Sequence, residues 1–356
     1  MRSKRPQFKL FLFFTLMAFF SAIAALESPC GEAEGAVLAV VRTVRVSQEP
    51  LSAIAVSPEN SLIAGVDSRN VLTLWDSDGR TRERISFQHP IPPVRTLALS
   101  PDGARIALGP EKGFVRVLST GGNDDGVTLD WYNTVTALAF SPGGKGLLVG
   151  SLNGDVKFWD AESGALTRLF NDTDFLVQWL CFSPSGRMAA AGFWDRSIAL
   201  WDVATGKIVR LLREKEEPLL LYYNPQRNRD EKRSSRSSDT VSLCGAFTGD
   251  GLFIAGGCND GTVRIWNVES GEKTGTLKIS ESPVTSLSAS PRGSYLACGT
   301  GSGETCLLDP AGQSAPVLLP GHHDAVCSLA FNSEGTMIVS ASREGVVIEW
   351  KVQEAK

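Results

Sequence analysis

Seven times along this 356-residue chain an apolar run closes on a tryptophan, or on a leucine in its place: Trp75, Leu118, Trp159, Trp201, Trp266, Leu308 and Trp350. The intervals are 43, 41, 42, 65, 42 and 42 residues. A second marker ends an apolar run at a Ser-Pro or equivalent turn, at Ser57, Ser100, Ser141, Ser183, Thr248, Ser290 and Asn332, and it keeps the same intervals. Two markers in one register define seven units. A period of this length means stacked supersecondary units in place of one irregular core.

Each unit reads as four short strands. In the third they are "TVTALAF", a Ser-Pro-Gly-Gly turn, "LLVGS", a hairpin, the Trp-ended "VKFWD", a "AESGA" turn, and "LTRLF". The runs are apolar with little alternation, as expected where both faces of a sheet are covered. Four-stranded antiparallel sheets covered on both faces stack radially into a propeller. The last repeat supplies only three strands, while "AVLAVVRTVRV" (Ala36 to Val46) precedes the first repeat as an orphan fourth. The expected fold is therefore all-β, a seven-bladed β-propeller over residues 36–352, closed by the N-terminal strand completing the C-terminal blade. In such a ring Trp266 and its counterparts Trp75, Trp159, Trp201 and Trp350 pack blades together.

The dipeptides Trp75-Asp76, Trp159-Asp160, Trp201-Asp202 and Trp266-Asn267, each closing a third strand and spaced with the Ser-Pro-x-Gly turns, resemble the WD40-repeat family. The resemblance covers about Ala36 to Val352. It implies a hydrogen-bond network of His, Ser/Thr, Asp and Trp, matched best by His322, Ser340 and Trp350 in the last repeat, where Glu344 replaces the usual turn aspartate. Asp195 and Asp260 hold that turn position in two other blades, but their histidine partners are absent.

With 42% apolar residues and a formal charge of −4 the chain can bury one large core, and no dense Lys/Arg stripe suggests nucleic acid as a partner. Residues 1–26 carry Arg2, Lys4, Arg5 and Lys9 ahead of an apolar run from Leu10 to Leu26 with an Ala22-x-Ala24 pattern. This layout is that of a secretory signal, with an uncleaved membrane anchor as the alternative. Membrane contact is expected only through this segment, if it is retained. Seven cysteines are present; Cys298 and Cys306 lie symmetrically about the turn at Ser302, so a hairpin would set them face to face, bridged or free. No Cys/His cluster of zinc spacing occurs.

No nucleophile with its base, paired carboxylates or phosphate loop is found, so no enzyme activity, cofactor or metal is expected. The fold alone does not specify a function, so it is sought in the loops. The 65-residue interval holds an extra segment, Glu214 to Asp239, whose Ser-rich, charged second half reads as a mobile loop. Trp194 stands one residue before the turn residue Asp195, where other repeats place Ser68, Glu111, Leu152, Asn259, Gly301 and Arg343. With Phe193, Phe175, Trp131, Tyr132, Tyr222 and Tyr223 it maps to one face, the top, over neighbouring blades. Such a cluster either anchors a protein partner or is a private mini-core in which "PLLLYY" of the insertion covers Phe193 and Trp194. Three readings follow: a non-enzymatic platform for protein partners outside the cytoplasm or on a membrane tether; an extracytoplasmic propeller binding or acting on a small molecule or glycan; and a cytosol-facing adapter on an uncleaved anchor.

Overall fold

The computed structural model describes residues 36–57, 62–87, 92–121, 126–170, 175–213, 240–292, 295–311, 315–319 and 321–354. Within them every regular element is a strand, and the strands form seven four-stranded antiparallel sheets. We letter the strands a to d in each blade. Blade 1 is Leu51–Val56, Ile63–Asp67, Leu72–Trp75 and Thr81–Ile85; blade 2 is Val94–Leu99, Arg105–Pro110, Val115–Ser119 and Val127–Leu129. Blade 3 is Val135–Phe140, Gly146–Ser151, Val156–Asp160 and Leu166–Phe170, and blade 4 is Val177–Phe182, Met188–Phe193, Ile198–Asp202 and Ile208–Leu212. Blade 5 is Ser242–Phe247, Phe253–Cys258, Thr262–Asn267 and Lys273–Lys278, and blade 6 is Val284–Ala289, Leu296–Thr300, Thr305–Leu308 and Val317–Leu319. Blade 7 is composite: strands a to c are Val326–Phe331, Met337–Ser342 and Val346–Glu354, and strand d is Ala36–Arg45 from the other end of the chain.

The recurring markers have local causes. The Ser, Thr or Asn ending strand a accepts a hydrogen bond from the amide five residues on: Arg105 to Ser100, Gly146 to Ser141, Met188 to Ser183, Phe253 to Thr248 and Met337 to Asn332, at 2.9–3.1 Å. The residue after the tryptophan secures the next turn in the same way. Asp160 Oδ1 accepts from the amides of Glu162 and Ser163, and Asp202 Oδ1 from Thr205. The hydrogen bonds from Ser163 and Thr205 hold these two carboxyls below their usual pKa.

The strands a of successive blades touch one another around the ring, and blade 7 touches blade 1. They are therefore innermost. The core is divided into seven clusters, one between each pair of adjacent blades. Each strand-c tryptophan packs toward the preceding blade: Trp75 on blade 7, Trp159 on blade 2, Trp201 on blade 3, Trp266 on blade 4 and Trp350 on blade 6. Closure follows the expected route, with pairs running from Ala36↔Glu354 to Arg45↔Val346. Cys298 and Cys306, direct partners in strands b and c of blade 6, are joined as a disulfide.

Candidate interaction surface

Strand order puts the b–c turns and the connections between blades on the top face. The b–c turn of blade 4 is held rigidly. The Trp194 amide donates to the Leu176 carbonyl, the buried Asp195 carboxylate accepts from Ser197 N and Oγ, and it pairs with Arg213 at 3.3 Å. Arg196 takes a left-handed backbone, φ 70°. On this fixed turn the Trp194 side chain is 47% exposed. Tyr132, in the connection from blade 2 to blade 3, is 78% exposed.

Two of the expected surface aromatics lie in the core instead. Phe193 is the last residue of its strand and pairs with Val177; strand alternation turns it inward, edge-on to Trp201 with centroids 6.2 Å apart. Trp131 is buried between blades 2 and 3, with Lys157 Nζ 4.9 Å above its ring. Phe175 is partly buried against the cluster between blades 3 and 4. Tyr222, Tyr223 and the whole insertion 214–239 lie outside the described residues. Phe193 packs within its own blade and against blade 3.

The sequence reading overlooked Phe114 and Leu152. They occupy the b–c turns of blades 2 and 3, at 47% and 48% exposure, and Phe114 meets Tyr132 edge-on at 5.9 Å. Leu152 was visible as an apolar residue at the repeat position of Trp194. Phe114 sits outside the aligned position, one residue past Gly113. Together Phe114, Tyr132, Leu152 and Trp194 form an arc over blades 2 to 4. Several charges beside them are paired, Arg95 with Glu111 at 3.1 Å, Asp155 with the Asn133 amide donating at 2.8 Å, and Arg213 with Asp195, while Lys112 and Asp130 stand exposed. The arc thus presents exposed apolar side chains bordered by exposed charges.

Elsewhere on the top, His322 Nε2 lies 2.7 Å from Ser340 Oγ, which also accepts from Trp350 Nε1 at 3.1 Å. Glu344 turns away to Arg45 of the closing strand, and the buried His322 Nδ1 has no hydrogen-bond partner among the described residues. Asp260 accepts from Thr262 N, Thr262 Oγ1 and Thr240 Oγ1, a turn-holding role like that of Asp195.

A seven-bladed ring of four-stranded sheets with this His-Ser-Trp network is the architecture of a repeat propeller. The model for the WD domain, G-beta repeat, matches residues 126–160, 165–202, 233–267, 271–308 and 314–351, more than half of the chain. The chain belongs to the WD40-repeat family, whose propellers typically serve as scaffolds for protein interactions. It is 33% identical over 117 residues to a periodic tryptophan protein 2 homolog of Schizosaccharomyces pombe, covering 32% of this chain and 13% of that protein. It is 30% identical over 119 residues to the WD repeat-containing protein SL1-17 of Schistosoma mansoni, covering 33% and 38%. It is 33% identical over 128 residues to the nuclear distribution protein PAC1 of Gibberella zeae, covering 33% and 28%. The chain thus spans well under half of each of these relatives.

Proposed function

We propose that the protein is a non-enzymatic scaffold that docks a protein partner across the top of blades 2 to 4, outside the cytoplasm or from a membrane tether. The observation that carries the docking face is the arc of exposed Phe114, Tyr132, Leu152 and Trp194, the last two on turns tied by their own backbone hydrogen bonds. Anchors of this kind lose little conformational freedom on binding, so more of the contact energy reaches the affinity.

The partner is to be identified by affinity purification of the intact protein and mass spectrometry, and its affinity then measured. Trp194→Ala should weaken binding by about 2 kcal/mol, roughly 30-fold, with little change in melting temperature. Unchanged affinity and unchanged stability would move the search to the opposite face, where the Ser-Pro turns lie. A fall in stability with unchanged affinity would make Trp194 a packing residue. The exposed Phe114–Tyr132 ring pair favours one second reading, a small molecule or glycan stacked on the aromatics. Thermal-shift screening separates it, because a specific ligand raises the melting temperature with the logarithm of its concentration. The compartment rests on the leader-like residues 1–26, and N-terminal sequencing of the protein from its native host tests it: a mature start near Ala25 or Leu26 supports secretion.

A further inference from the structure

Blade 6 is, with blade 2, one of the two blades whose strand c lacks the tryptophan. Its strand c ends in Leu308 where five other blades have tryptophan, and its strand d, Val317–Leu319, is three residues long. Blade 2 shares both features, but Trp131 is buried against its outer strands and twelve buried aliphatic residues line its interface with blade 1. Among the described residues, the cluster between blades 5 and 6 holds nine buried residues, none of them aromatic. Two of the nine are Cys298 and Cys306.

We propose that the Cys298–Cys306 bond is a permanent staple standing in for the missing tryptophan of blade 6, and that the chain is folded in an oxidising compartment. Register sets this pair apart from the other described cysteines. Cys298 and Cys306 are direct cross-strand partners, with Cα atoms 5.2 Å apart, within the span a disulfide bridges. Cys258 faces Ser242, Cys244 faces Gly257 and Cys181 faces Ala190, while Cys327 is the bulged residue between Val326 and Ser328. Burial also raises the thiol pKa at Cys181, to about 12, and at Cys244 and Cys327, so few thiolates form to enter exchange.

Both bonded cysteines are fully buried. The bond must then form before blade 6 closes against its neighbours, and it is shielded from reductants afterwards. Formation is thiol–disulfide exchange with an oxidoreductase disulfide. One cysteine thiolate attacks it, the mixed disulfide is resolved by the second cysteine, and the oxidoreductase leaves as a dithiol carrying the two electrons and two protons of the Cys298 and Cys306 thiols. This inference supports the compartment proposed above and is independent of the docking face, so either can fail alone.

The test uses full-length protein from its native host, with free thiols alkylated under denaturing conditions before digestion without reductant. Cleavage after Glu304, between the two cysteines, should leave fragments that stay linked until reduced, with Cys181, Cys244, Cys258 and Cys327 alkylated. Thermal unfolding with a reductant present should occur about 4 °C lower than without it, the entropy of releasing a loop of 8 residues spread over a chain of this size. In Cys298→Ala/Cys306→Ala protein the reductant should have no effect. Fragments that separate without reduction overturn the oxidising compartment, and a wild-type melt insensitive to reductant overturns the staple. Both readings come from the wild-type protein, so failure of the variant to fold leaves them decisive.

Discussion

His322 must stay neutral to keep its place. Burial, opposed by the nearby Glu344 charge and reinforced by His323, lowers its pKa to about 4 from an ordinary value of 6.5. Between those values the unfolded chain binds a proton that the folded chain does not, so stability falls as pH drops through this window. The loss should approach about 3 kcal/mol near pH 4. Urea titrations of the wild type and of His322→Gln at pH 7, 5.5 and 4 check it, since the variant should lose most of this dependence. Glu349 works in the opposite direction: burial raises its pKa despite Arg42, so it adds stability as pH falls through its folded value. Asp160 and Asp202, held below their usual pKa, lose their contribution only below about pH 4. A second residue-scale device is Trp179, whose ring enters the gap between blades 4 and 5 and donates from Nε1 to Ser242 Oγ at 2.9 Å. It fits only because Gly192 and Gly245 lack side chains. A Cβ there would stand 2.1 Å and 2.4 Å from ring atoms. Gly192→Ala should therefore cost about 1–3 kcal/mol in chemical denaturation through overpacking; a neutral outcome would mean that the ring can move aside.

At the scale of elements, the closing strand Ala36–Arg45 differs from the outer strands it resembles. Val40 and Val41 are exposed, and no described side chain of the strand belongs to a buried cluster. It is held by its ladder to Val346–Glu354 and by ions: Arg42 reaches Glu349 at 3.8 Å and Asp78 of blade 1, and Arg45 reaches Glu344. Removing it would bare the long edge of strand c, uncover the buried Glu349 and sever the Arg42 link to blade 1. A protein starting at Glu49 should accordingly lose far more stability than its few residues suggest. Cooperative melting at the parental temperature would refute closure by this strand.

On the scale of the whole molecule, stability is shared among seven interfaces of one type, so the ring should not depend on where the chain is opened. Ala36 and Glu354 are cross-strand partners, and a short turn can join them as it joins a hairpin. A circular permutant with these ends linked and new ends placed between Arg213 and Thr240 should fold and melt in one transition near the parental temperature. In it the closing strand becomes a covalent neighbour of strand c. Several transitions, or aggregation of a soluble parent, would show that the present chain order is needed for assembly.

Much of this architecture was legible in the sequence because a repeat states the same local physics seven times. The turn-forming Ser, Thr and Asn, the left-handed glycines three residues after them and the strand-ending tryptophans each depend on neighbours within one unit, and the composite blade follows from counting strands. The His322–Ser340–Trp350 contact, in contrast, is an expectation from the family resemblance alone. The candidate surface was legible only in part. Trp194 and Tyr132 are exposed, whereas the adjacent Phe193 and Trp131 turn their side chains inward. Sequence proximity puts a residue on a loop or at a strand end; side-chain direction and the neighbouring blade decide whether it meets water. Contacts between blades, such as Trp179 with Gly245 or Phe114 with Tyr132, join residues of different units and carry no periodic signature, so they were decided by the tertiary structure alone.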